Sequence, residues 1–214
     1  MQHEGAFTRR SKEERWQIAV RRAKELREEI SDYRRAKKEL PTGFDLAQRT
    51  VRQKERLLAI LGGTQEDWDN WHWQLANRIE DAELLGEVLG LSPKERLDVA
   101  RVGKTYRWAI SPYYASLMGS DDACPIRKQA VPSLEELDSG GELDPMAEGY
   151  TSPAPCITRR YPDRLIINVT NQCAMFCRHC QRRRLIGEED QHSTLEKLTA
   201  ALDYIRSNPE IRDV

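Results

Sequence analysis

No apolar run in this chain approaches the roughly 20 residues needed to cross a bilayer. Its first residues, Met1-Gln2-His3-Glu4-Gly5, lack the basic-then-apolar order of a secretory signal. Neither sign of charge is in excess: 34 Lys and Arg face 35 Asp and Glu, a formal net charge of −1. No global field therefore draws the chain to nucleic acid or to a membrane. Cysteine is scarce, and three of the five fall within eight residues, which is no disulfide framework. A reducing compartment is implied, with the cytoplasm as the default. Hydrophobic residues reach only 39% against 32% charged, so long solvated helices are expected beside any core.

What is present begins with a helical arm. Trp16, Ala19, Ala23, Leu26, Ile30 and Tyr33 recur three and four apart, a narrow coiled-coil-type stripe, and Ser11 with Glu14 has capping-box spacing. One helix over 11–40 is predicted, ended by Pro41-Thr42-Gly43, and a second over about 45–61, ended by Gly62-Gly63. The arm, 1–63, reads as an interaction or oligomerisation element; a solvated helix with no partner is the plainer alternative.

A Trp-rich helical segment follows over 64–118. Thr64 opens a helix, Ser92-Pro93-Lys94-Glu95 opens another through about Tyr106, and Ser111-Pro112 a shorter one to Met118. Trp68, Trp71 and Trp73 read as core or interface anchors. Seven of the ten prolines fall between Pro112 and Pro162, so 119–158 reads as an extended strap with a short helix at 134–137.

The remaining segment, 159–214, carries the chemistry. Leu165-Ile166-Ile167-Asn168-Val169-Thr170 reads as a strand covered on both faces. Directly after it stand Cys173, Cys177 and Cys180, at the spacing C-x3-C-x2-C. Three thiolates on a loop at the carboxyl end of a strand can converge on one centre, where α/β proteins place their sites. A closed zinc site needs a fourth protein ligand, and His179 is the alternative candidate. Beyond the loop, Ser193-Thr194 caps a helix with Leu195, Leu198, Leu202 and Ile205 at helical spacing, and 211–214 begins a second strand. Strand, loop, helix, strand is the opening of a parallel barrel, so an α/β class is expected with the barrel incomplete in this chain.

The cysteine motif after a strand resembles that of the radical S-adenosylmethionine (radical SAM) enzymes. Several stretches narrow the likeness: Trp68-Asp69-Asn70-Trp71-His72-Trp73-Gln74, Ile110-Ser111-Pro112-Tyr113-Tyr114, Arg127-Lys128-Gln129-Ala130-Val131-Pro132, Tyr161-Pro162-Asp163-Arg164, Cys177-Arg178-His179-Cys180 and Arg182-Arg183-Arg184. Together they resemble the amino-acid 2,3-aminomutases, from about Thr64 to Val214. The resemblance implies a [4Fe-4S] cluster on Cys173, Cys177 and Cys180, S-adenosyl-L-methionine on the open iron near His179, and pyridoxal 5′-phosphate (PLP) near Arg160, Tyr161 and Arg164. Arg182 would take the substrate α-carboxylate. A 5′-deoxyadenosyl radical would start migration of the amino group from C2 to C3. Partners implied are a small-molecule amino acid, an electron donor such as flavodoxin or ferredoxin, and further copies of the chain, with no nucleic acid and no membrane.

The arm, Gln181 and the run from Asn168 to Met175 resemble the glutamate branch more than the lysine branch, which is the second reading. The resemblance also places the PLP lysine and a glycine-rich motif beyond Val214, so the chain reads as an amino-terminal portion, inactive alone and with no catalytic residue of its own. Two rival classes stay open: a non-enzymatic iron–sulfur or zinc protein, and an interaction module built on the helices. Arg178 and Arg182–Arg184 alternatively form a solvated basic patch. Cys124, Cys156, His72 and His192 fall outside the motif and read as ordinary thiols and packing residues.

Overall fold

Capping chemistry accounts for most of the helix starts. The computed structural model describes residues 12–138 and 140–214, with side chains from Arg15 onward. The chain divides into two compact units, the first ending at Gln48 and the second running from Arg49 to Val214.

In the first unit, α1 (Lys12–Glu29) and α2 (Ser31–Glu39) replace the single helix expected over 11–40. The break is at Ile30, with φ −100° and ψ 11°. Asp32 explains it in part: its carboxylate accepts from the Tyr33 amide at 2.7 Å, a local bond that competes with the helical pattern. Leu40 turns extended, as a residue before proline does. Ser11, half of the expected cap, lies outside the described residues. The apolar stripe is open, with Trp16 69%, Leu26 51% and Tyr33 61% exposed.

The second unit is mainly helical. α3 (Ala47–Leu61) closes at Gly62, whose left-handed φ of 66° lets the Gly63 amide reach the Leu58 carbonyl at 2.9 Å. A side chain at Gly63 would clash with the Trp73 ring. Thr64 and Asp67 form a capping box on α4 (Gln65–Asp69), and Asn70 then caps α5 (Trp71–Ala76). α6 (Ala82–Leu89), capped by Asp81 and ended by Gly90, was not expected. The Ser92–Glu95 box starts α7 (Pro93–Gly103), and Ser111 caps α8 (Pro112–Leu117), as read from the sequence. The strap is less extended than expected. It contains α9 (Pro125–Ala130) and two 3-10 turns, Leu134–Leu137 and Glu148–Thr151. Ala130 is fully buried, so the strap contributes to the core.

That core gathers Leu57, Leu85 and Val99 from these helices, Ile79, Ile110 and Met118 from the segments that join them, and Met175 from the cysteine loop. Trp68 and Trp108 are buried as anchors, whereas Trp71 is 62% exposed and stacks on His72 at 3.5 Å.

The expected strand is shorter and more open than its composition suggested. β1 (Ile157–Thr158) pairs antiparallel with β2 (Ile166–Ile167), and Ile166 and Val169 remain 44% and 51% exposed. Only one face is covered, chiefly by α10 (Leu195–Arg206) through Ala201, Tyr204 and Ile205 around Leu165 and Ile157. On α10 the small Ala201 takes the contact expected of Leu202, because close helix-to-strand approach favours it; Leu202 is 47% exposed. The second strand survives as a parallel bridge between Arg164 and Asp213. Strand, helix and parallel return are thus present, compatible with an α/β fold. Among the described residues, no helix is long and apolar enough to cross a membrane.

Candidate functional site

The cysteine loop is stitched to the helical region by backbone bonds. Ile110 bridges antiparallel to Ile79 on one side and to Met175 on the other. The Ser111 amide donates to the Ala174 carbonyl at 2.8 Å, and the Phe176 amide to Ala109 at 3.1 Å. Loop residues on either side of Met175 therefore inherit the rigidity of a fully buried isoleucine.

Side chains complete the clamp. Asp190 accepts from Arg78 at 2.5 Å, from Arg107 at 2.6 Å and from Gln172 at 2.9 Å. Both guanidinium groups lie over the Phe176 ring, 5.7 and 4.6 Å from its centroid. Arg78 also donates to the Cys173 carbonyl at 2.9 Å. Burial alone would raise the Asp190 carboxyl, but these hydrogen bonds outweigh it and hold the group below the usual aspartate range. Asn171 closes the loop base, donating to the Ile186 and Glu189 carbonyls and accepting from the Gln191 amide.

Cys173, Cys177 and Cys180 line one cavity of about 460 Å³, together with His179, Gln181 and Arg182. Burial pushes the Cys173 thiol up, and the neighbouring Cys180 and Cys177 push it further. A thiol raised in this way becomes a thiolate readily only beside a cationic centre. Among the described residues, no three His, Cys, Asp or Glu side chains gather closely enough for a single metal ion. The donor set that lines the cavity is three soft thiols, the ligand type that suits an iron–sulfur cluster or zinc.

The basic residues beside the loop are mostly paired. Arg178 grips Glu136 bidentately, at 2.9 and 2.5 Å, and its own amide donates to the Gln129 carbonyl. Arg183 approaches the same carboxylate at 3.3 Å and lies over Tyr106 at 4.2 Å. Arg184 pairs with Asp144, and Arg182 with Glu148, each at 3.3 Å. A solvated basic patch would be more exposed and would lack these partners.

Arg160, Tyr161 and Arg164 are not brought to the cysteine-lined cavity. They precede β2 in sequence, while the cysteines follow it, and none of Arg160, Tyr161 and Arg164 lines that cavity. Tyr161 is 57% exposed, and Arg164 stacks on its ring at 4.7 Å. Cys124 accepts from the Gly119 amide, and Cys156, with φ 52°, lines an adjoining cavity of about 640 Å³ together with His192, with Asn168, Thr170, Asn171 and Leu185 lining both. Neither thiol lines the cavity of the other three. The residues that sequence reasoning missed are Arg78, Arg107, Asp190, Glu136, Glu148 and Asp144. Their partners lie 34 to 112 positions away in four of these pairings, a separation that carries no local signal.

No family model matches the chain. Individual proteins do. It is 51% identical over 203 residues to the glutamate 2,3-aminomutase of Clostridioides difficile, covering 94% of this chain and 48% of that one. Against the L-lysine 2,3-aminomutases of Fusobacterium nucleatum and Clostridium subterminale it is 44% and 45% identical, covering 71% and 69% of this chain and 36% of each relative. The chain thus spans less than half the length of each of these relatives. By these matches the chain is similar to part of an amino-acid 2,3-aminomutase, along nearly its whole sequence for the glutamate enzyme and along about 70% of it for the lysine enzymes.

Proposed function

We propose that the protein to which this chain belongs is a radical amino-acid 2,3-aminomutase, an isomerase that converts L-glutamate to β-glutamate. The observation that carries this reading is the common cavity of Cys173, Cys177, Cys180 and Arg182. The three thiols would hold a [4Fe-4S] cluster, with His179 beside it. When bound, the cluster would supply the electron that cleaves S-adenosylmethionine, and PLP would carry the migrating nitrogen.

The chain's own side chains would bind and orient. Arg182, with 36% of its side chain exposed, has donors left over from Glu148 for a substrate α-carboxylate. Arg160, Tyr161 and Arg164 would face PLP, where cations and a phenol suit a phosphate and a ring. The βαβ unit would open a (β/α) barrel, with the segments 1–63, 64–118, 119–158 and 159–214 as arm, Trp-rich region, strap and barrel start.

Glutamate is favoured because the likeness to the glutamate enzyme extends over 94% of the chain, while that to the two lysine enzymes covers about 70%. L-lysine is the second reading, supported by those same relatives. The test is turnover of the cofactor-loaded enzyme on both amino acids. Faster formation of β-glutamate is expected; faster formation of β-lysine would transfer the assignment to lysine.

A further inference from the structure

Glu148 is 2% exposed, an unusual burial for a carboxylate. Its place is tightly determined. The Glu148 and Gly149 amides donate to Asp144 at 2.9 and 2.8 Å, and the Thr151 and Ser152 hydroxyls donate to the Glu148 carbonyl. Ala147, directly before it, is held at φ 51°, a left-handed conformation that favours glycine. Two cations meet the buried carboxylate: Arg182 at 3.3 Å and Arg184 at 3.6 Å, the latter also on Asp144. Two acids and two guanidinium groups make a neutral cluster between the strap and the loop that follows the third cysteine.

The approach to Arg182 is specific to one edge. Nη2 donates to Glu148 Oε1 at 3.3 Å, and Nε lies 3.3 Å from Oε2. A guanidinium carries two such forks. With Nε and Nη2 facing Glu148, the Nη1–Nη2 edge stays available, and Arg182 itself lines the cysteine cavity. We propose that Glu148 is a positioning residue: it holds the Nε–Nη2 edge of Arg182 so that the Nη1–Nη2 edge meets a substrate carboxylate. This rests on the reading of Arg182 as the carboxylate-binding residue.

The experiment is a double-mutant cycle on glutamate binding, measured calorimetrically in cluster- and PLP-loaded protein without S-adenosylmethionine, so that no turnover occurs. Glu148→Gln keeps the shape and removes the charge; Arg182→Lys keeps the charge and removes the fork. Each is expected to weaken L-glutamate binding about tenfold or more, and the double variant to bind no worse than Arg182→Lys alone. Additive losses would overturn the proposal, since Glu148 would then support the fold independently, as would unchanged binding in Glu148→Gln. Unchanged binding in Arg182→Lys alone would show instead that the reading of Arg182 is wrong. If Glu148→Gln lowers iron content or melting temperature, Glu148→Asp takes its place. That change retains the charge but withdraws the carboxylate, and the same non-additive loss is expected; unaltered affinity overturns the proposal.

Discussion

Cys173, Cys177 and Cys180 differ from Cys124 and Cys156 in surroundings rather than in chemistry, and that difference can be measured. Anaerobic reconstitution is expected to load about four irons and four sulfides per chain. Loading should be lost in Cys173→Ala, Cys177→Ala or Cys180→Ala, and retained in Cys124→Ala and Cys156→Ala. Stoichiometric zinc without iron would sink the cluster reading. Arg182 and Arg183 separate in the same manner. Arg182→Lys should reduce turnover at least about a hundredfold with normal iron content, because loss of a bidentate, charge-assisted contact costs about 3 kcal/mol. Arg183 lies over Tyr106 and shares Glu136, so Arg183→Lys should be mild. Equal effects would mean that the arginine run has no division of labour. The cysteine spacing was legible because all three ligands sit on one loop. The roles of Glu136 and Glu148 were not, because a buried carboxylate is recognised only by the cation folded against it.

The cysteine loop behaves as an element whose order comes from its neighbours. Asp190 joins Arg78 and Arg107, whose side chains are only 7% and 16% exposed. Asp190→Ala would leave both cations without that partner, a loss of about 3 kcal/mol. It should show as a lower urea midpoint and faster hydrogen exchange at 172–190. Unaltered exchange there would show that the backbone bonds to Ala109 and Ser111 suffice. Glu136 makes the strap-to-loop contact pH-dependent. Burial would raise its carboxyl, but hydrogen bonds from Arg178 and Ser133 and the charges of Arg178 and Arg183 hold it below the usual glutamate range. A depressed folded-state value stabilises the fold above the unfolded value of about 4.3, and that contribution is lost as pH falls below it. Melting temperature should therefore drop below about pH 4 in the native protein, with a flatter profile in Glu136→Gln. Equal slopes would exclude Glu136 as the source. Helix starts at this scale were readable from Thr64, Ser92, Ser111 and Thr194, because a cap is a contact over three residues.

At the scale of the molecule, the arm carries a run of exposed apolar side chains. The stripe Trp16, Leu26, Ile30 and Tyr33 is exposed along α1 and α2, and none of the described α2 residues is buried. If the arm joins copies of the chain, Leu26→Glu with Tyr33→Glu should lower the mass measured by sedimentation while iron loading stays normal. An unchanged mass would return the arm to a solvated helix pair. The core makes the opposite prediction. Ile110 is fully buried between Ile79 and Met175, so Ile110→Ala should cost about 3 kcal/mol and loosen the cysteine loop along with the helices. Melting of the helices with an unaffected loop would show that the two are uncoupled.

Local chemistry determined the capped helices, the cysteine motif and the end of α2 at Leu40 and Pro41, since propensity, capping and ligand spacing act within a few residues. It misjudged 11–40 as one helix, because the competing Asp32 bond is small beside a regular stripe. It also overstated the burial of β2, because an apolar run records what a strand can cover and not which neighbours lie on it. Tertiary structure alone decided that Ile110 links the helices to the loop, that Asp190 joins Arg78 and Arg107, and that Glu148 meets Arg182. The two charge-paired contacts join segments 34 to 112 residues apart, and their strength comes from low exposure and charge pairing, properties that exist only once the chain has folded.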